Sequence, residues 1–125
     1  KDGFRSATLD KQAFIKTLKR TSCMLAGQFV STNFKFKPGK LAVNLHNKEV
    51  GKIDESLPLE KFEGEPVKSR FYSPYLLGGL QVFPQDKISF YVQSDAKPII
   101  FETDGENYKF TYLVMPVSLA QEQAE

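Results

Sequence analysis

Apolar positions along this chain change their spacing several times, and each change marks an element. Over Leu9 to Leu25, Phe14, Leu18 and Leu25 stand four and seven residues apart, which is one face of a helix. Asp10 supplies a capping carboxylate at the start, and Gly27 supplies a stop. At about 100° per residue, Lys16, Lys19 and Arg20 gather nearly opposite the apolar stripe, giving a cationic outer face. The period then drops to two. Phe34 and Phe36 alternate with Asn33, Lys35 and Lys37, Pro38-Gly39 supplies a turn, and Leu41, Val43 and Leu45 alternate with Ala42, Asn44 and His46. This is a hairpin, with His46 on its polar side. A third strand is expected through Glu49 to Ile53, and Ser56 to Gly64 reads as loop.

A second round follows. Val67 to Phe71 predicts a strand, and Ser73-Pro74 offers a capping hydroxyl with proline at the first helical position. Tyr75 to Val82 is a short helix that Gly78 and Gly79 weaken by about 1 kcal/mol each relative to alanine, so packing must hold it. Ile88, Phe90 and Val92 alternate, Pro98 to Phe101 extends, Asp104-Gly105 turns, and Tyr108, Phe110, Tyr112 and Val114 alternate again. With Gly3 to Thr8 as a first strand, the order is strand, helix and three strands, twice over. The expected class is therefore α+β, with two helices packed on antiparallel sheets in a pseudo-repeated βαβββ. Ala120 to Glu125 reads as a polar tail.

Composition narrows the chemistry. The 125 residues suit one domain able to bury a core without disulfides or metal. One cysteine and one histidine exclude a zinc cluster and make a Cys-His nucleophile improbable. No cofactor site and no catalytic residue is expected: Asp54 with Glu55, and Asp104 with Glu106, are carboxylate pairs in turn-rich sequence without a nucleophile beside them. No apolar run approaches the roughly 20 residues that cross a bilayer, so no membrane partner is expected. The net charge of +2 conceals a division. Lys1 to Lys52 carry eleven basic residues against three acids, whereas Ile53 to Glu125 carry six against twelve. One face should therefore attract polyanions.

Three segments carry a family resemblance. Lys11-Gln12-Ala13-Phe14, Phe71-Tyr72-Ser73-Pro74-Tyr75-Leu76-Leu77 and Tyr112-Leu113-Val114-Met115-Pro116-Val117-Ser118-Leu119 together resemble the third, C-terminal domain of the bacterial sliding clamp, the beta subunit of the replicative DNA polymerase. The resemblance covers nearly the whole chain and places the domain at residues 1–119, with the tail at 120–125. It implies a processivity factor: two three-domain subunits joined head to tail as a homodimer ring around duplex DNA, in the cytoplasm. Lys16, Lys19 and Arg20 would then face DNA without reading bases. Cys23, Met24 and Leu25 would lie at the ring interface. Tyr72, Tyr75, Pro98, Leu113, Met115, Pro116, Val117 and Leu119 would line a groove that docks the clamp-binding motif of DNA polymerase, clamp loader and repair proteins. The start on Lys1 implies a domain cut from a longer chain, monomeric on its own. Ser118, where the family often has a basic residue, Tyr72, where asparagine is familiar, and the continuation to Glu125 depart from the pattern.

Two other readings remain compatible with the sequence. Sixteen aromatic residues would suit a soluble carrier with an aromatic-lined cavity for a small polar ligand or lipid, and a free-standing clamp-like DNA-binding or decoy domain would share the fold without the ring.

Overall fold

The computed structural model describes residues 3–25, 31–47, 51–83, 86–94, 96–104 and 109–117. Its elements run β1 (Arg5–Asp10), α1 (Lys11–Met24), β2 (Thr32–Lys37), β3 (Gly39–Asn47), β4 (Gly51–Leu59), β5 (Val67–Phe71), α2 (Ser73–Leu80), β6 (Lys87–Val92), β7 (Ile99–Asp104) and β8 (Lys109–Val114). The doubled βαβββ order is present, and the class is α+β. The two halves exchange their leading strands. One antiparallel sheet has the order β1-β6-β7-β8, and the other β4-β3-β2-β5. Neither half can therefore complete a sheet alone, which makes the domain one cooperative unit.

Several boundaries differ from the sequence reading: α2 runs Ser73–Leu80 where the pattern predicts Tyr75 to Val82, β7 runs Ile99–Asp104 where it predicts Pro98 to Phe101, and three further differences bear on the packing. Leu9 belongs to β1, not to the helix: Ala7 and Leu9 point inward in strand alternation, and the helix starts only where the Asp10 carboxylate accepts from the Ala13 amide at 2.8 Å. Ser56 to Leu59 is strand, not loop. Ile53, Glu55 and Leu57 pair with Leu45, Val43 and Leu41 on the inward phase of β4, and the acid in that row conceals the period. Pro58 is tolerated because β4 is an edge strand whose outer side needs no ladder donor. Ser73 does not cap α2; its hydroxyl lies 2.8 Å from that of Thr21 and 2.9 Å from that of Thr32, buried where both helices meet β2. Glu49, Gly27 and the tail at 120–125 lie outside the described residues.

The interior is a run of aromatic contacts. Phe14 of α1 meets Phe34 of β2 edge-on at 6.2 Å, Phe34 meets Phe71 at 5.7 Å, and Phe36 meets Phe90 of β6 at 5.4 Å, so one chain of rings joins a helix to both sheets. Among the described residues these rings pack on one another in the interior. The α1 and α2 helices pack side by side over the inward faces of the sheets, leaving the opposite sheet faces to solvent.

Candidate functional site

The two sheets meet at two related seams. At the first, the end of β4 bridges to β1: the Thr8 amide donates to the Glu60 carbonyl at 2.9 Å and the Glu60 amide returns a bond to Thr8 at 2.8 Å. At the second, the end of β8 reaches β5, where the Val117 amide donates to the Arg70 carbonyl at 2.8 Å. The first seam is covered by Phe62, buried beneath the Arg5 guanidinium, and by the Lys87–Glu60 ion pair at 2.6 Å. The second stays open as a groove of about 280 Å³.

Strand alternation builds that groove. In β8, Tyr112 and Val114 turn inward, so Leu113 and, just past the strand, Met115 turn out at 55% and 62% exposure. Tyr75, on the first turn of α2, is 55% exposed on the other bank. Pro116 and Val117 form the end wall, with Val117 buried against β5. Tyr112 makes the floor: its hydroxyl donates to the Tyr75 carbonyl at 2.7 Å, and its ring lies on Gly79, where a Cβ would fall 1.9 Å from Cε2. Glycine at 79 is thus the condition for seating a tyrosine ring against α2. Pro74 suits the first turn of the helix, from which Tyr75 projects.

Of the residues assigned to a groove by resemblance, Tyr75, Leu113, Met115, Pro116 and Val117 line this one. Tyr72 is half-buried and supports Tyr75, their rings edge-to-face at 4.8 Å. Pro98 is half-buried and is not among the lining residues, and Leu119 lies outside the described residues. Tyr112 and Val114, whose phase points them to the core, contribute to the floor as well. The signal for Tyr112 lay in Gly79, since a buried helical glycine implies something bulky pressed against it.

On α1, Lys16 and Lys19 are exposed. Arg20 is engaged: its Nε and Nη2 donate to the two carboxylate oxygens of Glu55 at 2.6 Å each, and Thr17 adds a bond to Glu55 at 2.9 Å. These hydrogen bonds, Arg20 first, hold the Glu55 carboxyl below its ordinary range against the opposing effect of burial, and raise the Arg20 guanidinium. At the end of α1, Cys23 is exposed, Met24 half-buried and Leu25 only 1% exposed, so Leu25 belongs to the core of this domain. Lys11, in the first family-like segment, is buried with its ammonium on the Phe83 carbonyl at 2.8 Å, a role that nothing in the sequence pattern signals. Among the described residues no three of His, Cys, Asp and Glu gather to hold a metal ion, and no helix is long and apolar enough to cross a membrane.

The family described as DNA polymerase III beta subunit, C-terminal domain, matches residues 1–118. The beta sliding clamp of Caulobacter vibrioides is 25% identical over 117 residues, 94% of this chain and 31% of that protein. That of Streptococcus pneumoniae is 25% identical over 92 residues, 74% of this chain and 24% of that protein. The chain therefore spans a third or less of the curated relatives it matches. Among solved structures, the DNA polymerase sliding clamp of Pseudomonas aeruginosa superposes with a TM-score of 0.84 at 21% identity, covering 95% of this chain and 32% of that one. The clamp of Bacillus subtilis gives 0.84 at 21%, covering 94% and 31%. These likenesses show the fold.

Proposed function

This chain belongs to the family formed by the C-terminal domain of the DNA polymerase III beta subunit, and from that premise we propose that it works as the third domain of a ring-shaped DNA polymerase processivity factor in the cytoplasm. The ring encircles duplex DNA, and the open seam docks a short apolar motif of the polymerase, the clamp loader and repair proteins. The observation that carries the docking role is the exposed set Tyr75, Leu113 and Met115 around a preformed groove of about 280 Å³, on a domain whose other large apolar side chains are mostly buried. A flexible methionine and a tyrosine with both ring and hydroxyl suit a series of related peptides.

The domain has no chemistry of its own to perform in this role. Lys16 and Lys19 of α1 face the phosphates, with Arg20 held against Glu55 and oriented by it. Ring closure, head to tail with a second subunit, uses the end of α1, where Cys23 is exposed and Met24 half-buried. A Gln-, Leu- and Phe-rich clamp-binding peptide titrated into the chain tests the reading. Amide shifts should centre on Tyr75, Leu113, Met115 and Val117, and Met115→Ala should weaken binding by about 1 to 3 kcal/mol. Shifts confined to the Pro38-Gly39 turn would refute it.

A further inference from the structure

Most of the chain's basic residues lie off the first helix. Outward positions of the β4-β3-β2-β5 sheet alternate with the buried phenylalanines, and they carry Lys35 and Lys37 on β2, Lys40 on β3, Lys68 and Arg70 on β5, and Lys52 on β4. Asp54, beside Lys52 at 3.9 Å, is the acid on these outward positions. Lys35 and Lys68 are direct cross-strand partners, and so are Lys37 and Lys40. Like charges facing one another across a ladder oppose folding, so nothing in the domain's own stability accounts for two such pairs side by side. Beside the first pair lies a surface hollow of about 390 Å³, walled by Lys35, Lys68 and Arg70 with Asn33 and Asn44.

We propose that this outer sheet face is a second, sequence-independent contact for the phosphate backbone of duplex DNA, on the side of the domain away from α1 and α2. The chemistry selects among polyanions. No aromatic side chain stands on the outward positions of these strands apart from the imidazole of His46, so unpaired bases would find no stacking platform, which disfavours a single strand. No large exposed aliphatic or aromatic anchor stands there either, which disfavours an acidic protein partner. What remains is charge density, and duplex DNA presents one charge per about 1.7 Å of axis. Successive outward residues on a strand stand about 6.8 Å apart, so Lys35 with Lys37, and Lys68 with Arg70, reach separate phosphates. The inference does not rest on the ring or on the groove.

The test uses the 125-residue chain and a mixed-sequence duplex, with affinity followed across a salt series. Lys35→Gln with Lys68→Gln should lower the magnitude of the salt slope by about two and the affinity roughly tenfold or more. Its melting temperature should be equal or higher, because the cross-strand repulsion is gone. Lys16→Gln with Lys19→Gln should weaken binding independently, and the two pairs of substitutions should add, since they lie on opposite sides of the domain. An unchanged slope and affinity in the folded Lys35/Lys68 variant would overturn the proposal. So would poly-glutamate or single-stranded DNA competing as well as duplex at equal charge. Should the double variant lose its cooperative transition, Lys68→Gln alone, on the edge strand, carries the same expectation with a slope change of about one.

Discussion

Where β4 runs out, Glu60 and Thr8 exchange two backbone bonds and Phe62 closes beneath them; where β8 runs out, Val117 gives one described bond to Arg70 and the apolar side chains beside it stay in water. The two places are related by the repeat. Each follows the last strand of a βαβββ half, and each borders the leading strand that the halves exchange. The backbone frame is shared, so side chains decide which seam is sealed. At the first, the apolar residue is delivered inward and ions cover it. At the second, strand alternation turns Leu113 and Met115 outward while Gly79 admits Tyr112 as a floor. A binding groove here is a seam left unsealed.

The largest expected effect separates the seams by stability. Phe62→Ala should cost about 3 to 5 kcal/mol, the range for emptying a buried aromatic site, in urea or thermal unfolding. Met115→Ala should stay within about 0.5 kcal/mol of the parent, because its side chain leaves no cavity behind. Equal costs would mean that the second seam is core and that the groove is packing.

Next comes the floor. Gly79→Ala sets a Cβ inside the Tyr112 ring and should destabilise by about 1 to 3 kcal/mol, with peptide binding lost as the ring is displaced. Tyr112→Phe keeps the ring and removes the bond to the Tyr75 carbonyl, for about 0.5 to 1.5 kcal/mol. Tyr112→Ala in the Gly79→Ala background should recover part of the loss, since the clash needs both partners. Additive costs would show that Gly79 is required for a reason other than the ring.

A smaller difference should appear in hydrogen exchange. The paired amides of Thr8 and Glu60 should exchange near the global opening rate, and the Val117 amide faster, through local opening of its edge. Bound peptide should slow Val117 and leave Glu60 unchanged. Faster exchange at Glu60 than at Val117 would reverse the assignment of closed and open seams.

The repeat of strand and helix was legible because alternation, the turn at Pro38-Gly39 and the proline that opens α2 at Pro74 are local signals. The exchange of β1 and β5 between sheets was not, because pairing partners lie far apart in sequence and alternation names a face, not a neighbour. Glu55 hid two features at once. As an acid on the inward phase of β4 it broke the apolar pattern that would have extended the strand, and as a partner it takes up Arg20, which helical spacing alone groups with Lys16 and Lys19 as an open cation. The groove was legible in part: its apolar residues cluster near the end of the chain, but the role of Tyr112 required knowing that Gly79 lies beneath its ring.

The smallest effect concerns charge, which guards the closed seam and its strand but not the open groove. Glu60 holds Lys87, whose ammonium is raised above the usual lysine range by that hydrogen bond, and Arg20 with Thr17 holds Glu55, whose carboxyl is lowered. A lowered carboxyl contributes stability that is present above its unfolded value and is lost as pH falls through the folded value, so the Glu55 contribution should fade on the acid side of the carboxylate range. A raised ammonium contributes below its unfolded value and loses that contribution as pH rises through the folded one, so the Lys87 contribution should fade above the lysine range. The Lys87–Glu60 pair is largely solvent-exposed and the Arg20–Glu55 pair is exposed on its arginine side, so the melting temperature should change only slightly at either end. Glu55→Gln should flatten the acid limb, Lys87→Met the alkaline limb, and neither should alter peptide affinity at neutral pH, because the groove is lined by Tyr75, Met115 and Val117 without an ion pair. An acid limb unchanged in Glu55→Gln would remove the carboxylate from the account of β4, and a loss of peptide affinity in either variant would show that the two seams are coupled through the sheets that join them.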